Sequence, residues 1–252
     1  MSNPEILSPS ALDSARFGIK VERALVPADA DVEDAIAQIN RSNAELIILR
    51  VPAGATEIPT GLSMLGETVI HSDTLVYHYL DLPAPSGASA SHVRQADPRD
   101  LDAIRDIAAA AFRTYRAHYA ANPLLPADQV LAGYIEWAQS RADPSNPQST
   151  TWLVMDKAGT PAGFATCDIE GNAVEIVLNA VHPAMERKGH YGTLLRHIIK
   201  HYSAQGLARL VISTQIWNYT VQRQWSRAGL LLFKAYDTFH VDRRIARQRT
   251  GV

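Results

Sequence analysis

The sequence predicts an α/β protein: a small α/β N-terminal domain followed by a larger α/β domain. Two observations carry that reading. Apolar residues fall alternately into period-two runs of strand length and 3.6-period stripes of helix length, and residues 83–91 (PAPSGASAS) interrupt this pattern with only Pro, Ala, Gly and Ser. A segment of that composition buries little surface, so a linker is expected between a domain over residues 1–82 and one over 92–242, with a basic tail over 243–252.

In the first domain, residues 18–26 (GIKVERALV) alternate as a half-buried strand does, and residues 30–40 place Val32, Ala35, Ile36 and Ile39 on one helical stripe. Residues 46–51 read as a short buried strand, and residues 73–82 (DTLVYHYLDL), rich in β-branched and aromatic side chains, as another. His71 and His78 lie in this domain without a cluster of other ligand types, so they read as surface or core histidines. After the linker, residues 92–96 form a short strand. Residues 98–112 form a helix with Asp97 as N-cap and Pro98 at the first position, where a missing N–H costs nothing. Residues 127–141 form a second helix with Val130, Leu131, Tyr134, Ile135 and Ala138 on one stripe. Strands follow at 151–156, 163–168 and 174–181, then a helix over 192–204, a strand over 209–214, a helix over 218–228 and a strand or strand pair over 230–241.

Composition narrows the function classes. The 252 residues carry 24 Lys and Arg against 26 Asp and Glu, a net charge of −2, with 46% hydrophobic residues and one cysteine. This balance gives no global field for nucleic acid or an anionic membrane, and the apolar content suffices for a core. One cysteine excludes a disulfide framework or a cysteine-rich zinc site, so no metal is expected and Cys167 reads as a small buried residue. No apolar run approaches the roughly 18 residues of a membrane span, and MSNPEILSPS lacks the basic start and apolar stretch of a secretory signal, so a cytoplasmic protein is expected.

Chemistry concentrates in residues 175–195 (EIVLNAVHPAMERKGHYGTLL). A buried strand runs into a loop holding Arg187, Lys188 and Gly189, and the loop leads directly into an amphipathic helix. Free N–H groups at a helix start, the positive end of its dipole, two cations and glycines that let a phosphate approach the backbone form an anion-binding pattern. The pattern is neither a G-x-G-x-x-G dinucleotide fingerprint nor a G-K-[ST] phosphate loop.

A strand, then V-x-P, then R-K-G-x-Y-G-x-L-L and a helix resembles the acetyl-CoA pyrophosphate loop of the GNAT N-acetyltransferases, and the order of elements over residues 92–242 is similar to that family's. The resemblance implies the GNAT acyl-CoA N-acyltransferase fold, a mixed central sheet flanked by helices. With Gly189 as the motif's central glycine, Glu186 stands where the family has Gln or Arg and Tyr191 where it has Gly or Ala. The segment TQIWNYTVQRQWSRAG, followed by Tyr236, Phe239 and His240, is similar to acyltransferases of nucleotide-linked amino-deoxysugars, of the dTDP-fucosamine acetyltransferase type, which also carry a smaller N-terminal domain.

Transfer of an acyl group from a thioester to an amine needs a base, a site for the oxyanion and a proton for the departing thiolate. Glu175, at the start of the strand before the loop, is the leading base, and period-two alternation places it on one face with Val177 and Asn179. His118 is its rival, with an imidazole suited to proton transfer near neutrality. The resemblance implies that backbone around Asn179, Ala180 and Val181 receives the thioester oxygen, that Arg187, Lys188, Gly189, His190, Tyr191, Gly192 and Thr193 hold the phosphates, and that Asn218 meets the pantetheine arm. Many relatives place a tyrosine acid where this chain has Trp225, which reads as packing against the cofactor; either Tyr219 or water then protonates the thiolate, or coenzyme A leaves as a thiolate. Arg113, Tyr115, Arg116, Tyr134, Trp137, Gln215 and Tyr219 are candidate acceptor contacts, with Tyr134 at core spacing.

The implied cosubstrate is acetyl-CoA or another short acyl-CoA, and the implied partner is a nucleotide-linked amino sugar, with no nucleic acid and no membrane; a homodimer stays open. Acylation of a peptide, lysine or polyamine amine and a non-catalytic acyl-CoA sensor are the alternatives.

Overall fold

The computed structural model describes residues 5–84, 92–143 and 149–245. Most of the expected linker (85–91) and most of the basic tail (246–252) therefore lie outside the described residues. The chain forms two compact units whose boundaries differ from a division at 82 and 92. Unit 1 comprises Met1–Val76, Arg116–Val130 and Lys234–Val252, and unit 2 comprises Tyr77–Tyr115 and Leu131–Phe233. Spatial neighbours far apart in the chain set these boundaries, so composition alone could not mark them.

Unit 1 contains β1 (Leu7–Pro9), α1 (Ala11–Phe17), β2 (Val21–Leu25), α2 (Val32–Arg41), β3 (Leu46–Pro52), α3 (Glu57–Met64) and the first part of β4 (Val69–Asp81). Three of these, β1, α1 and α3, are absent from the sequence reading. The residues expected to open a strand at 18 instead close α1: Gly18 takes a left-handed φ of 64°, and β2 begins at Val21. Asp31 caps α2 by accepting from the Asp34 N–H at 2.8 Å. β2 and β3 are parallel, and the Tyr236–Asp242 part of the last strand, β10 (Leu231–Asp242), lies antiparallel to β3. One face of these strands packs Ala24, Ile47, Leu49, Val51 and Val241 with Ala35, Ile39, Ile58 and Leu62 of α2 and α3.

Unit 2 contains β5 (Val93–Gln95), α4 (Leu101–Phe112), α5 (Ala127–Ala142, from Leu131), β6 (Ser149–Met155), β7 (Pro161–Glu170), β8 (Ala173–Val181), α6 (His190–Ala204), β9 (Arg209–Gln215) and α7 (Tyr219–Arg227). The expected helix at 98 begins as a 3-10 turn, Pro98–Asp100. Asp97 caps it, and the Asp100 carboxylate accepts the Asp97 N–H in return. Strands run in the order β4-β9-β8-β7-β6-β5, with β8 and β9 parallel and β5 to β8 antiparallel, so the sheet is mixed and flanked by helices. Val174, Ile176, Leu210 and Ile212 pack on one face with Leu194, Leu195 and Ile198 of α6 and Trp225 of α7. Phe164, Leu178 and Ala180 pack on the other with Ile104, Ile107 and Phe112 of α4 and Ala138 of α5. Among the described residues no helix is long and apolar enough to cross a membrane.

Candidate active site

The middle strand of unit 2 changes which face its side chains meet. Thr166 of β7 stands opposite Leu178 of β8, but the next residue, Cys167, stands opposite Ile176, so Val177 is an extra residue on β8. Before this bulge the even-numbered Val174 and Ile176 face the α6 layer, and after it the even-numbered Leu178 and Ala180 face the α4 and α5 layer. Simple alternation therefore fails. Glu175 and Asn179 lie on opposite faces, with half-buried Glu175 on the α4 and α5 side and Asn179 on the α6 side. Asp168, opposite Glu175 in register, bonds Arg141 of α5 and accepts the Ser149 hydroxyl at 2.6 Å, which fixes the identity of that face.

The same strand parts from its neighbour. β8 pairs with β9 from Ala173 opposite Arg209 to Ile176 opposite Ile212, and the ladder ends there among the described residues. On its other edge β8 stays paired with β7 to Val181, and the His182 N–H donates to the Ala162 carbonyl at 2.9 Å. In an antiparallel ladder alternate residues turn their N–H groups to the same partner. The Ala180 N–H accordingly faces β7, and the N–H groups of Asn179 and Val181 face the opening toward β9. Close approach of backbones holds this edge in place: a Cβ on Gly163 would lie 2.7 Å from the Ala180 carbonyl oxygen and 3.2 Å from Val181 Cα.

Beyond Val181 the chain makes a 3-10 turn, Pro183–Met185, and enters the cationic loop. Arg187 holds a left-handed φ of 62°, unusual for a side chain of that size, and Gly189 follows at 83° as the N-cap of α6 without a side-chain cap. Both residues and Lys188 are exposed, and Lys188 donates to the Ala184 carbonyl at 3.2 Å. The first-turn N–H groups of α6, on His190, Tyr191 and Gly192, therefore meet no capping side chain and stand beside two cations. The Gly192 position leaves only the flexible end of Arg196 near a would-be Cβ, and Arg196 donates to the Thr193 hydroxyl at 3.2 Å. These features suit a pyrophosphate.

Two of the three positions at which the family pattern is not met, Tyr191 and Trp225, touch one another. Trp225, 1% exposed on α7, donates its indole N–H to the Tyr191 hydroxyl at 2.6 Å. Burial raises the Tyr191 pKa, against which the bond from Trp225 works in part. The indole proton thus ties α7 to the first turn of α6. Asn218, half-buried at the start of α7, donates to the Thr214 hydroxyl at 3.1 Å. Cys167 is buried, and desolvation raises its thiol pKa, as suits a core residue.

The aromatic acceptor candidates in unit 2 gather around Tyr115. Its hydroxyl bonds buried Gln215, and its ring lies 5.3 Å from Trp217, 5.7 Å from Phe112 and 6.1 Å from Tyr134. Tyr134 stacks on Phe112 at 4.7 Å and contacts Trp137, so it belongs to the core as its spacing suggested. Trp217 was missed by the sequence reading although it sits between Gln215 and Asn218. Arg113 is exposed and Tyr219 is 61% exposed. Arg116 and His118 fall in unit 1. His118 is buried, with Nδ1 2.9 Å from Nε2 of His240, and burial followed by the fields of His240, Arg50 and Arg23 holds its pKa well below the usual value. Among the described residues no group of three or more His, Cys, Asp or Glu could hold a metal ion.

Residues 101–230 match the Acetyltransferase (GNAT) family. No curated protein matches the chain by sequence. A GCN5-related N-acetyltransferase from Sphaerobacter thermophilus superposes with a TM-score of 0.62 at 13% identity, over 93% of this chain and 75% of its own. A conserved protein of unknown function from Staphylococcus epidermidis gives 0.60 at 10% identity, over 96% and 93%. A GNAT-family acetyltransferase from Colwellia psychrerythraea gives 0.51 at 15% identity, over 87% and 76%. At these identities the likeness is one of fold.

Proposed function

The chain belongs to the GNAT acetyltransferase family, and we propose that within it the protein is an acetyl-CoA-dependent N-acetyltransferase for the amine of a nucleotide-linked, dTDP-type amino sugar. The parting of β8 from β9 after Ile176, on the strand that leads into the Arg187, Lys188 and Gly189 loop, supports the acyl-CoA part of this reading, and the aromatic group around Tyr115 supports the acceptor part. Acyl-CoA, the family's cosubstrate, supplies an acyl group activated as a thioester. Its phosphates suit the uncapped start of α6 with Arg187 and Lys188, and its pantetheine arm suits Asn218.

Glu175 takes the role of base. The bulge at Val177 turns it toward the layer that holds Tyr115 and Tyr134, away from the layer of α6, so base and phosphate loop serve different sides of one strand. A carboxylate there accepts a proton from the acceptor amine, directly or through water. The N–H groups of Asn179 and Val181, which face the opening, take the role of donors to the thioester carbonyl oxygen. His118 is the weaker base, because burial disfavours its charged form and its Nδ1 is engaged by His240. The aromatic group of Tyr115, Trp137 and Trp217, with Gln215 and the exposed Arg113, supports an acceptor that combines a ring with polar and anionic groups.

Thiol release from acetyl-CoA, measured across dTDP- and UDP-linked amino sugars with spermidine and peptides as controls, tests the proposal. Turnover with the sugars is expected; turnover with the controls alone overturns the choice of acceptor.

A further inference from the structure

The second face of the unit 1 strands, opposite the α2 and α3 core, is unusually polar. It carries Arg23 of β2, Arg50 of β3 and the buried Thr238, His240 and Asp242 of β10, with Thr238 opposite Arg50 in register and His240 opposite Ile48. Most of these groups are matched. Arg23 donates to Asp13 at 2.6 Å and to Tyr119 at 2.9 Å, while Asp242 accepts from Asn122 at 2.8 Å and pairs with Arg244 at 2.6 Å. Three buried polar atoms are not: Arg50 Nε, Thr238 Oγ1 and His240 Nδ1 have no hydrogen-bond partner. Among the described residues the Arg50 side chain makes no hydrogen bond or ion pair. The Nε is shut off from water and from any ligand, but the terminal N–H groups of Arg50 are accessible and have no protein partner, so an anion can meet them.

Arg50 also lines a cavity. A pocket of about 360 Å³ is bounded by Arg50 and Arg23 and walled by Ile6, Leu7, Leu25, Pro27 and Ile48, with Ser8 and the exposed carboxylate of Glu5 at its lining. Two guanidinium groups and an apolar wall match a molecule with one negative end and an aliphatic body, while Glu5 disfavours a highly charged anion. We propose that unit 1 binds a small aliphatic carboxylate in this pocket, its oxygen atoms on Arg50 and its hydrocarbon part against Leu7, Leu25 and Pro27. This site serves no step of the proposed transfer, so the two readings can fail separately.

Thermal melting and calorimetric titration of the full chain with 3-methylbutanoate test the site, with 3-methylbutanamide and inorganic phosphate as controls. Saturable stabilisation by the carboxylate alone is expected. Arg50→Met should weaken binding at least tenfold yet melt no lower than the parent without ligand, because it removes an unpaired charge. Leu25→Trp, at a half-exposed position of the wall, should abolish binding with the fold retained. An equal response to phosphate, no response to the carboxylate, displacement by coenzyme A, or a destabilised Arg50→Met variant would each overturn the proposal.

Discussion

The bond between Trp225 and Tyr191 offers a direct test of how α7 positions the start of α6. Trp225 is 1% exposed and its Nε1 stands 2.6 Å from the Tyr191 hydroxyl. Tyr191→Phe leaves the indole N–H buried without an acceptor, which costs about 1–3 kcal/mol. Trp225→Phe deletes the donor and leaves a void in the core that Trp225 shares with Val174, Leu195 and Leu230, so it should cost at least as much. With both changed, no orphaned indole remains, and the pair should be less destabilised than the two single losses together, by about 1 kcal/mol or more. Urea unfolding followed by circular dichroism, with a common slope for all four proteins, reads this directly. The single Tyr191→Phe variant should also raise the KM for acetyl-CoA several-fold, since roughly 1 kcal/mol of lost positioning is about fivefold in affinity. Strictly additive single effects would refute the account.

Three further outcomes follow from the geometry. Glu175→Gln should lower turnover by about 10²–10⁴-fold while acetyl-CoA still binds, and unchanged turnover would remove Glu175 as the base. Gly163→Ala drives a Cβ to 2.7 Å from the Ala180 carbonyl oxygen; a loss of about 1–3 kcal/mol in stability is expected, together with reduced kcat/KM from a displaced β8, and a variant with normal melting and turnover would contradict the close approach. Burial, with Arg23 and Arg244 adding to it and Asp242 and Asp13 opposing, lowers the His240 pKa from 6.5 to about 4. The unfolded chain then binds more protons in that window, so stability is fully present above pH 6.5 and declines as pH falls toward about 4, by about 3 kcal/mol at most from this group. His118, buried against it and likewise held well below its usual value, adds a decline of the same sign, so His240→Gln should reduce the slope over that range, and an unchanged slope would show that other groups set it. The carboxylates of Asp13 and Asp242, whose pKa values lie below 3.8, act only at lower pH.

Much of the architecture was legible because local rules govern it. The stripe of Val32, Ala35 and Ile39 gave a helix that buries Ala35 and Ile39, and the cap formed by Asp97 and Pro98 placed a helical start within one turn. The short elements α1 and α3 carry too few apolar residues in register to stand out from loop, and tertiary packing holds them. In the site, the order of Arg187, Lys188, Gly189 and the helix after them was readable for the same reason: a cationic loop that opens a helix is a local device.

The alternation of strands and helices, the cationic helix start and the pairing of a family pattern with a Trp at 225 are all readable along the chain. Three matters were decided only in the tertiary structure. The extra residue at Val177 exists only relative to Thr166 and Cys167 on the neighbouring strand, and it puts Glu175 and Asn179 on opposite faces where counting by twos put them together. The contact that joins Tyr191 to Trp225 spans 34 positions of chain and turns two separate departures from a motif into one bond. The division into units follows segments such as Arg116–Val130 that return to distant partners and carry His118 into unit 1. Each depends on register or packing between segments remote in the chain, and a period read along one segment cannot hold that information.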